Sequence, residues 1–370
     1  MRTTVNRLSA KRLLNQALCG LLLTGMASAA SAASTSTGLS SLDILQQFNV
    51  VVFGNSTSSA NVDGRTYIGG ALNGGNYKSS ASSYAGLTVQ GSASNIHVEN
   101  GGAVIAGSLS NSVINNGSTA VLGSSSYTNY NGNKQNVTYV EGTRTGGHIN
   151  NTNLTSLDQD KALKDKVITA QNTSTSAFKS SLGTLSQQLS TQATTGGYNV
   201  DKNSKATFNA KADASGLAVI NLTASDITNL NSTKNFSFNL DESVTALLFN
   251  VAGQNTTLTA NLFQGGNLNK LASITLWNFY DATTIALNSQ FAGTLLAPNA
   301  SLTNSNEIHG GVFVNSLTQY AAIRSAAFTG ASALNSILPA VPEPETYALM
   351  GLGLVMLGWR AKKTARRLCA

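Results

Sequence analysis

Residues 87–134 divide into three sixteen-residue units that align without a gap: LTVQGSASNIHVENGG (87–102), AVIAGSLSNSVINNGS (103–118) and TAVLGSSSYTNYNGNK (119–134). Val89, Ile105 and Val121 share one column and Gly91, Gly107 and Gly123 another. Ser92, Ser108 and Ser124 stand beside the glycines, and Val98, Ile114 and Tyr130 form a further column. A unit this short cannot bury an apolar face alone and must stack on its neighbours. Helical pairs do not fit into such a repeat, but a few short strands do. The pattern therefore predicts a parallel β-helix whose apolar columns stack into a continuous interior. The turn glycines are expected to supply positive φ, and stacked Asn and Ser to hydrogen-bond along the axis. An antiparallel sandwich is the alternative, in which a gapless repeat is hard to explain. A second pair, GTLLAPNA from Gly293 and GGVFVNSL from Gly310, repeats at an offset of 17.

Elsewhere short β-branched runs alternate with Gly, Asn and Ser, and among them FSFNL (236–240), ALLFNVAG (246–253) and ITLWNFYDAT (274–283) read as strands. One segment departs from this. From Ser156 to Leu189 the only glycine is Gly183, and Ser156 and Gln159 stand at capping-box spacing with acids in the first turn. Phe178, Leu182, Leu185 and Leu189 recur on one helical face. One or two helices are expected over about 156–190, outside the solenoid, with polar QNTSTS (171–176) between them.

The two ends are of another kind. Arg2, Arg7, Lys11 and Arg12 precede an apolar run that closes on Ala27, Ala29, Ala30 and Ala32, which reads as a secretory signal peptide over 1–32, cleaved after Ala29 or Ala32. Cys19 does not make a lipobox, because Gln16 stands where Leu is needed. At the other end, Pro342, Glu343 and Pro344 precede the apolar run Tyr347–Trp359 and the cations Arg360, Lys362, Lys363, Arg366 and Arg367. The prolines hold an extended peptide. The run is short for a bilayer, and the cations after Trp359 stay cytoplasmic. This order resembles the PEP-CTERM sorting signal of Gram-negative bacteria. The resemblance implies transient anchoring in the inner membrane by a helix at 347–359, recognition by an exosortase, and release or transfer to the cell surface.

The net charge of +7 belongs to these ends: removing their nine basic and two acidic residues from 23 and 16 leaves fourteen of each sign. Nucleic acid is therefore not an expected partner. Both cysteines, Cys19 and Cys369, are terminal too, so the central chain must be stabilised by its core and not by disulfides.

No convergent chemistry emerges from the remaining residues. His97, His148 and His309 are far apart, without metal-ligand spacing, and read as turn or surface histidines. Ser176 and Lys179 match SxxK without its companion motifs. Asp158, Asp160 and Asp165 alternate with Lys161, Lys164 and Lys166 as solvated helical pairs, unlike the clustered acids of a polysaccharide lyase. Asp63 and Arg65 read either as a ligand clamp or as a turn-stabilising salt bridge beside Gly64, the second being favoured. No catalytic residue, metal or cofactor is expected, and the sites are the sorting residues named above.

LDILQQFNVVVFGN (42–55), VDGRTYIGGAL (62–72), WNFYDAT (277–283) and GTLLAPNASLTNSNEIHGGVFVNSL (293–317) resemble the choice-of-anchor A domain. This is an adhesive bacterial surface domain found with various carboxyl-terminal anchors. The carboxyl half resembles more loosely the β-helix and flanking helix of ice-binding-like domains. Together these readings predict a mainly β protein: a signal helix, a parallel β-helix domain over 33–338 with a helical insertion, and a sorting segment over 339–370. The expected function is non-enzymatic adhesion at the cell surface or in a biofilm matrix, with exopolysaccharide or surface ligands as partners. The alternative is ice or polysaccharide binding on a flat solenoid face. Against it, the aligned coils show mixed Ser, Asn and Ala where a regular Thr or aromatic row would be needed.

Overall fold

The computed structural model describes residues 39–338, apart from 81, 263–267 and 336. The signal peptide and the sorting segment, including Pro342, Glu343, Pro344, Trp359, Arg360, Lys362, Lys363, Arg366 and Arg367, lie outside the described residues. Among the described residues no helix is long and apolar enough to cross a membrane.

The chain winds into a three-faced solenoid of parallel strands. On the first face Ile105 lies opposite Val89 and Val121. On the third, Ile114 lies opposite Val98 and Tyr130. The columns of the sixteen-residue repeat are thus physical stacks. The antiparallel pair Gly196–Val200 with Lys205–Ala210 belongs to a separate three-stranded sheet completed by Asn235–Leu240. The parallel ladders rule out a sandwich.

The coils do not stack in chain order. Val50–Val52 pairs with Thr66–Ile68 on one side and with Val312–Gln319 on the other. From there the chain winds outward through Leu87–Val89, Ala103–Ile105 and Thr119–Val121 to Asn153–Leu154. Two helices then run back along the first face. The chain resumes with Leu217–Leu222 and winds through Ala246–Val251, Thr275–Asn278 and Thr294–Asn304 to Val312–Gln319. One solenoid is therefore built from two runs that meet in its middle.

The helices explain why first-face strands are apolar without alternation. α1 (Ser41–Gln47), α2 (Lys161–Asn172) and α3 (Thr175–Ser190) cover that face from outside. Leu163, Val167 and Ala170 of α2 pack on Val104 and Ala120. Phe178, Leu182, Leu185 and Leu189 of α3, the predicted face, pack with Val51, Tyr67, Leu248, Leu296 and Phe313. Strands such as Val50–Val52 and Ala103–Ile105 are consequently buried on both sides, the condition that produces continuous hydrophobic runs.

The two ends of the solenoid are finished differently. At one, the small sheet contributes Phe208, stacked on Phe238 at 5.0 Å and set edge-on to Phe249 at 5.5 Å. Phe249 stacks in turn on Trp277 at 4.1 Å. At the other, the inward column Leu109, Ser125 continues to Arg144, an exposed cation that ends the apolar interior and discourages edge-to-edge pairing.

Two local expectations need correction. Gly91, Gly107 and Gly123 do not have positive φ. They are glycines because successive turns touch: a Cβ on Gly107 would lie 2.7 Å from the Gly91 carbonyl, and one on Gly123 2.7 Å from that of Gly107. Positive φ in these coils falls on other turn glycines, Gly101 (84°), Gly102 (68°) and Gly117 (135°), as expected of turns, and also on Asn95 (57°), Asn111 (48°), Asn116 (35°) and Tyr127 (49°). The serines do form a ladder, Ser108 N–H donating to Ser92 Oγ (3.1 Å) and Ser124 N–H to Ser108 Oγ (3.2 Å).

The helix start also moves. Ser156 caps nothing, and Leu157–Gln159 is a 3₁₀ turn. Gln159 Oε1 accepts a hydrogen bond from Thr155 (2.8 Å), so it is not available to complete a box. Asp160 is the N-cap of α2, accepting from Leu163 N–H at 2.9 Å. The break between the helices falls in the predicted polar stretch, where Ser174 caps α3 through Ala177 N–H (3.2 Å).

Candidate functional site

With the first face sheathed by helices, the second and third are open. On the second, strands such as Ser56–Ser58, Leu72–Asn73, Ala93–Ser94 and Leu109–Ser110 alternate inward and outward. Leu302, Leu317, Leu72, Ala93 and Leu109 point in. The outward partners form one row in register: Thr257, Ala286, Thr303, Thr318, Thr57, Asn73, Ser94, Ser110, Ser126 and Thr145. A second row, Asn255, Thr284, Ser301 and Ser316, runs beside its first part, with Ser316 Oγ donating to Ser301 Oγ at 2.8 Å.

This row is more regular than the aligned coils suggest. Its threonines come from both sides of the junction, where Thr57 of the first run meets Thr318 of the second. The repeat at 87–134 samples only the serine part. Successive rungs lie about 4.8 Å apart, so the face is a regular lattice of short hydroxyl and amide groups, interrupted at Ala286. Such groups both donate and accept hydrogen bonds and lose little rotamer freedom on contact. The chemistry suits a hydroxyl-rich or ordered-water surface.

The third face is amide-rich and locally charged. Asn150 Nδ2 donates to Asn131 Oδ1 (2.8 Å) and Asn131 Nδ2 to Asn115 Oδ1 (2.9 Å), a ladder along the axis. In the middle, Arg324 reaches Glu307 at 3.1 Å and Asp63 at 3.4 Å. The predicted Asp63–Arg65 pair does not form. The chain turns a corner at Gly64 (φ 89°), which leaves Asp63 on the third face and sends Arg65 to the first. Arg65 donates to the Gln47 carbonyl (2.6 Å) and lies over the Phe48 ring.

The other candidates are not brought together. His97 and His309 sit on third-face strands of separate coils, each within 3.5 Å of one glutamate, and His148 is exposed at the entry to Ile149–Asn150. Ser176 bonds Ser174, whereas Lys179 donates to Asn315 Oδ1 at 2.8 Å, tying α3 to the solenoid. Lys161–Asp165 and Lys164–Asp158 are exposed ion pairs. The hydroxyl row is the feature that sequence reasoning missed. Its only local signal is the recurrence of Ser94, Ser110 and Ser126 two residues after the serine column already noted, because the pairing of Thr57 with Thr318 is long-range.

A family model described as "Putative Ice-binding-like adhesive domain" matches residues 41–325, and one described as "PEP-CTERM protein-sorting motif" matches residues 340–363. The resemblance to the choice-of-anchor A domain fits the first match. No curated protein and no solved structure matches the chain. The motif implies exosortase-mediated sorting and, with the domain, supports export to the surface of a Gram-negative cell. Because the first match spans most of its length, the chain belongs to the ice-binding-like adhesive domain family and carries a PEP-CTERM sorting motif.

Proposed function

We propose that this protein is a non-enzymatic adhesin of the cell surface or biofilm matrix, processed by an exosortase at Pro342–Glu343–Pro344. The carrying observation is the sorting motif placed behind an adhesive-like domain whose open second face is a long hydroxyl row. The dispersal of the histidines, the serine–lysine pair and the acids over separate surfaces favours adhesion over catalysis. The test compares intact mass and location of the protein from native cells with a Pro342→Ala/Pro344→Ala variant. Wild-type protein ending near residues 341–345 outside the cell, with the variant held full-length in the inner membrane, supports processing. Two full-length proteins in the membrane contradict it. A deletion strain is expected to lose surface attachment and biofilm mass, and unchanged attachment would sink the adhesive reading.

A second reading, recognition of ice or polysaccharide by the flat face, is favoured by the regularity of the Thr and Ser row. It predicts thermal hysteresis or glycan-array signal, and silence in both removes it. A polysaccharide lyase is the weakest reading, since Asp158 and Asp165 are occupied by exposed lysines. Calcium-dependent cleavage of a uronic-acid polymer would revive it.

A further inference from the structure

The corner between the second and third faces carries two tyrosines that folding does not account for. Tyr127 is 71% exposed and Tyr320 62%. Tyr127 also holds φ at 49°, a left-handed conformation unfavourable for an aromatic residue. The two preceding coils have Asn95 and Asn111 at the same register with φ of 57° and 48°, the residue type that adopts this conformation most easily. A tyrosine here is strained without being buried. A local rule broken with no gain in folding marks a functional position.

The surroundings indicate what such a ring would meet. It lies over Gly146, where even a Cβ would come within 2.8 Å of Cδ1, so the backbone supports it while most of its surface faces solvent. Tyr320 follows the strand that pairs with Ser56–Ser58, and Tyr127 follows Ser125–Ser126, five rungs farther along. At about 4.8 Å per rung the two corners are about 24 Å apart along the axis. Exposed Ser59, Asn95 and Asn111 lie between them, and no charged residue occupies this corner.

We propose that this corner binds an extended, uncharged polysaccharide lying along the solenoid axis, with Tyr127 and Tyr320 as stacking platforms and Ser59, Asn95 and Asn111 as hydrogen-bonding partners. The C–H faces of sugar rings carry partial positive charge and pack on the negative face of an aromatic ring. Tyrosine supplies that area with little rotamer entropy to lose. The absence of charge favours a neutral polymer, and the scarcity of apolar neighbours disfavours a protein partner. The proposal rests on the adhesive reading and names its ligand class.

The test uses full-length protein retained on cellulose, chitin and mannan particles, with albumin-coated particles as the protein-surface control. Retention on at least one polysaccharide, reduced tenfold or more in Tyr127→Asn and in Tyr320→Ala, is expected. Tyr127→Asn is also expected to melt at a higher temperature than wild type, because it restores the residue of the neighbouring coils. Binding lost together with a raised melting temperature separates a ligand platform from a structural residue. No retention on the three polymers, retention unaffected by both substitutions, equal retention on albumin, or a lower melting temperature for Tyr127→Asn would each overturn the proposal. Cells carrying both substitutions that still attach as wild type, while a deletion strain does not, would reject the corner and leave the adhesive reading standing.

Discussion

Single residues in this solenoid are selected by the distance between turns as much as by their own conformation. Gly107 illustrates this: its backbone touches the Gly91 carbonyl with no room for a Cβ. Gly107→Ala is therefore expected to lower stability by roughly 1–3 kcal/mol, the usual cost of overpacking. Gly183 lies within α3 with nothing inside 4 Å of a Cβ, so Gly183→Ala is expected to raise stability by about 0.4–1 kcal/mol. Urea denaturation of the two variants checks the opposite signs. The glycine column was legible in the sequence, but its reason was not, because close approach and positive φ select the same residue. Buried phenols give a pH dependence. Burial raises the pKa of Tyr67, Tyr77 and Tyr130 above that of an unfolded tyrosine. Their stabilisation is complete below about pH 10 and is lost as pH rises through the folded values. Tyrosinate absorbance and loss of circular dichroism are expected to rise together above about pH 10; full tyrosinate formation with the fold retained would contradict this.

At the level of elements, the helical insertion and the buried face of α3 were read correctly, but the start of α2 was not, and α1 (Ser41–Gln47) was not expected from the sequence. Hydrophobic spacing marks the buried side of α3 without reference to its neighbours, whereas a cap depends on which backbone N–H groups are free. Asp160→Ala is expected to cost about 1 kcal/mol, the typical value for a lost N-cap, and Ser156→Ala close to nothing. Phe178 sets α3 on the solenoid through an edge contact with Phe48 (5.8 Å) and a tilted one with Tyr67 (5.3 Å). Phe178→Ala is expected to cost about 3–5 kcal/mol. Thermal and urea unfolding of the three variants ranks them, and a Ser156→Ala loss as large as that of Asp160→Ala would contradict the cap assignment.

For the whole molecule, the repeat revealed how coils stack within one run but not that two runs meet. That junction depends on Val50–Val52 pairing with residues 312–314, a contact with no local sequence signal. It also completes the hydroxyl row, so the candidate surface was illegible for the same reason as the topology. Adhesion through this face is the central claim. Its most direct measurement is attachment of cells bearing Thr57→Lys, Ser94→Lys and Ser126→Lys, outward positions on alternate rungs where added cations do not sit directly opposite one another. With surface display and circular dichroism matched to wild type, attachment is predicted to fall to the level of a deletion strain. Wild-type attachment by this variant would contradict the account.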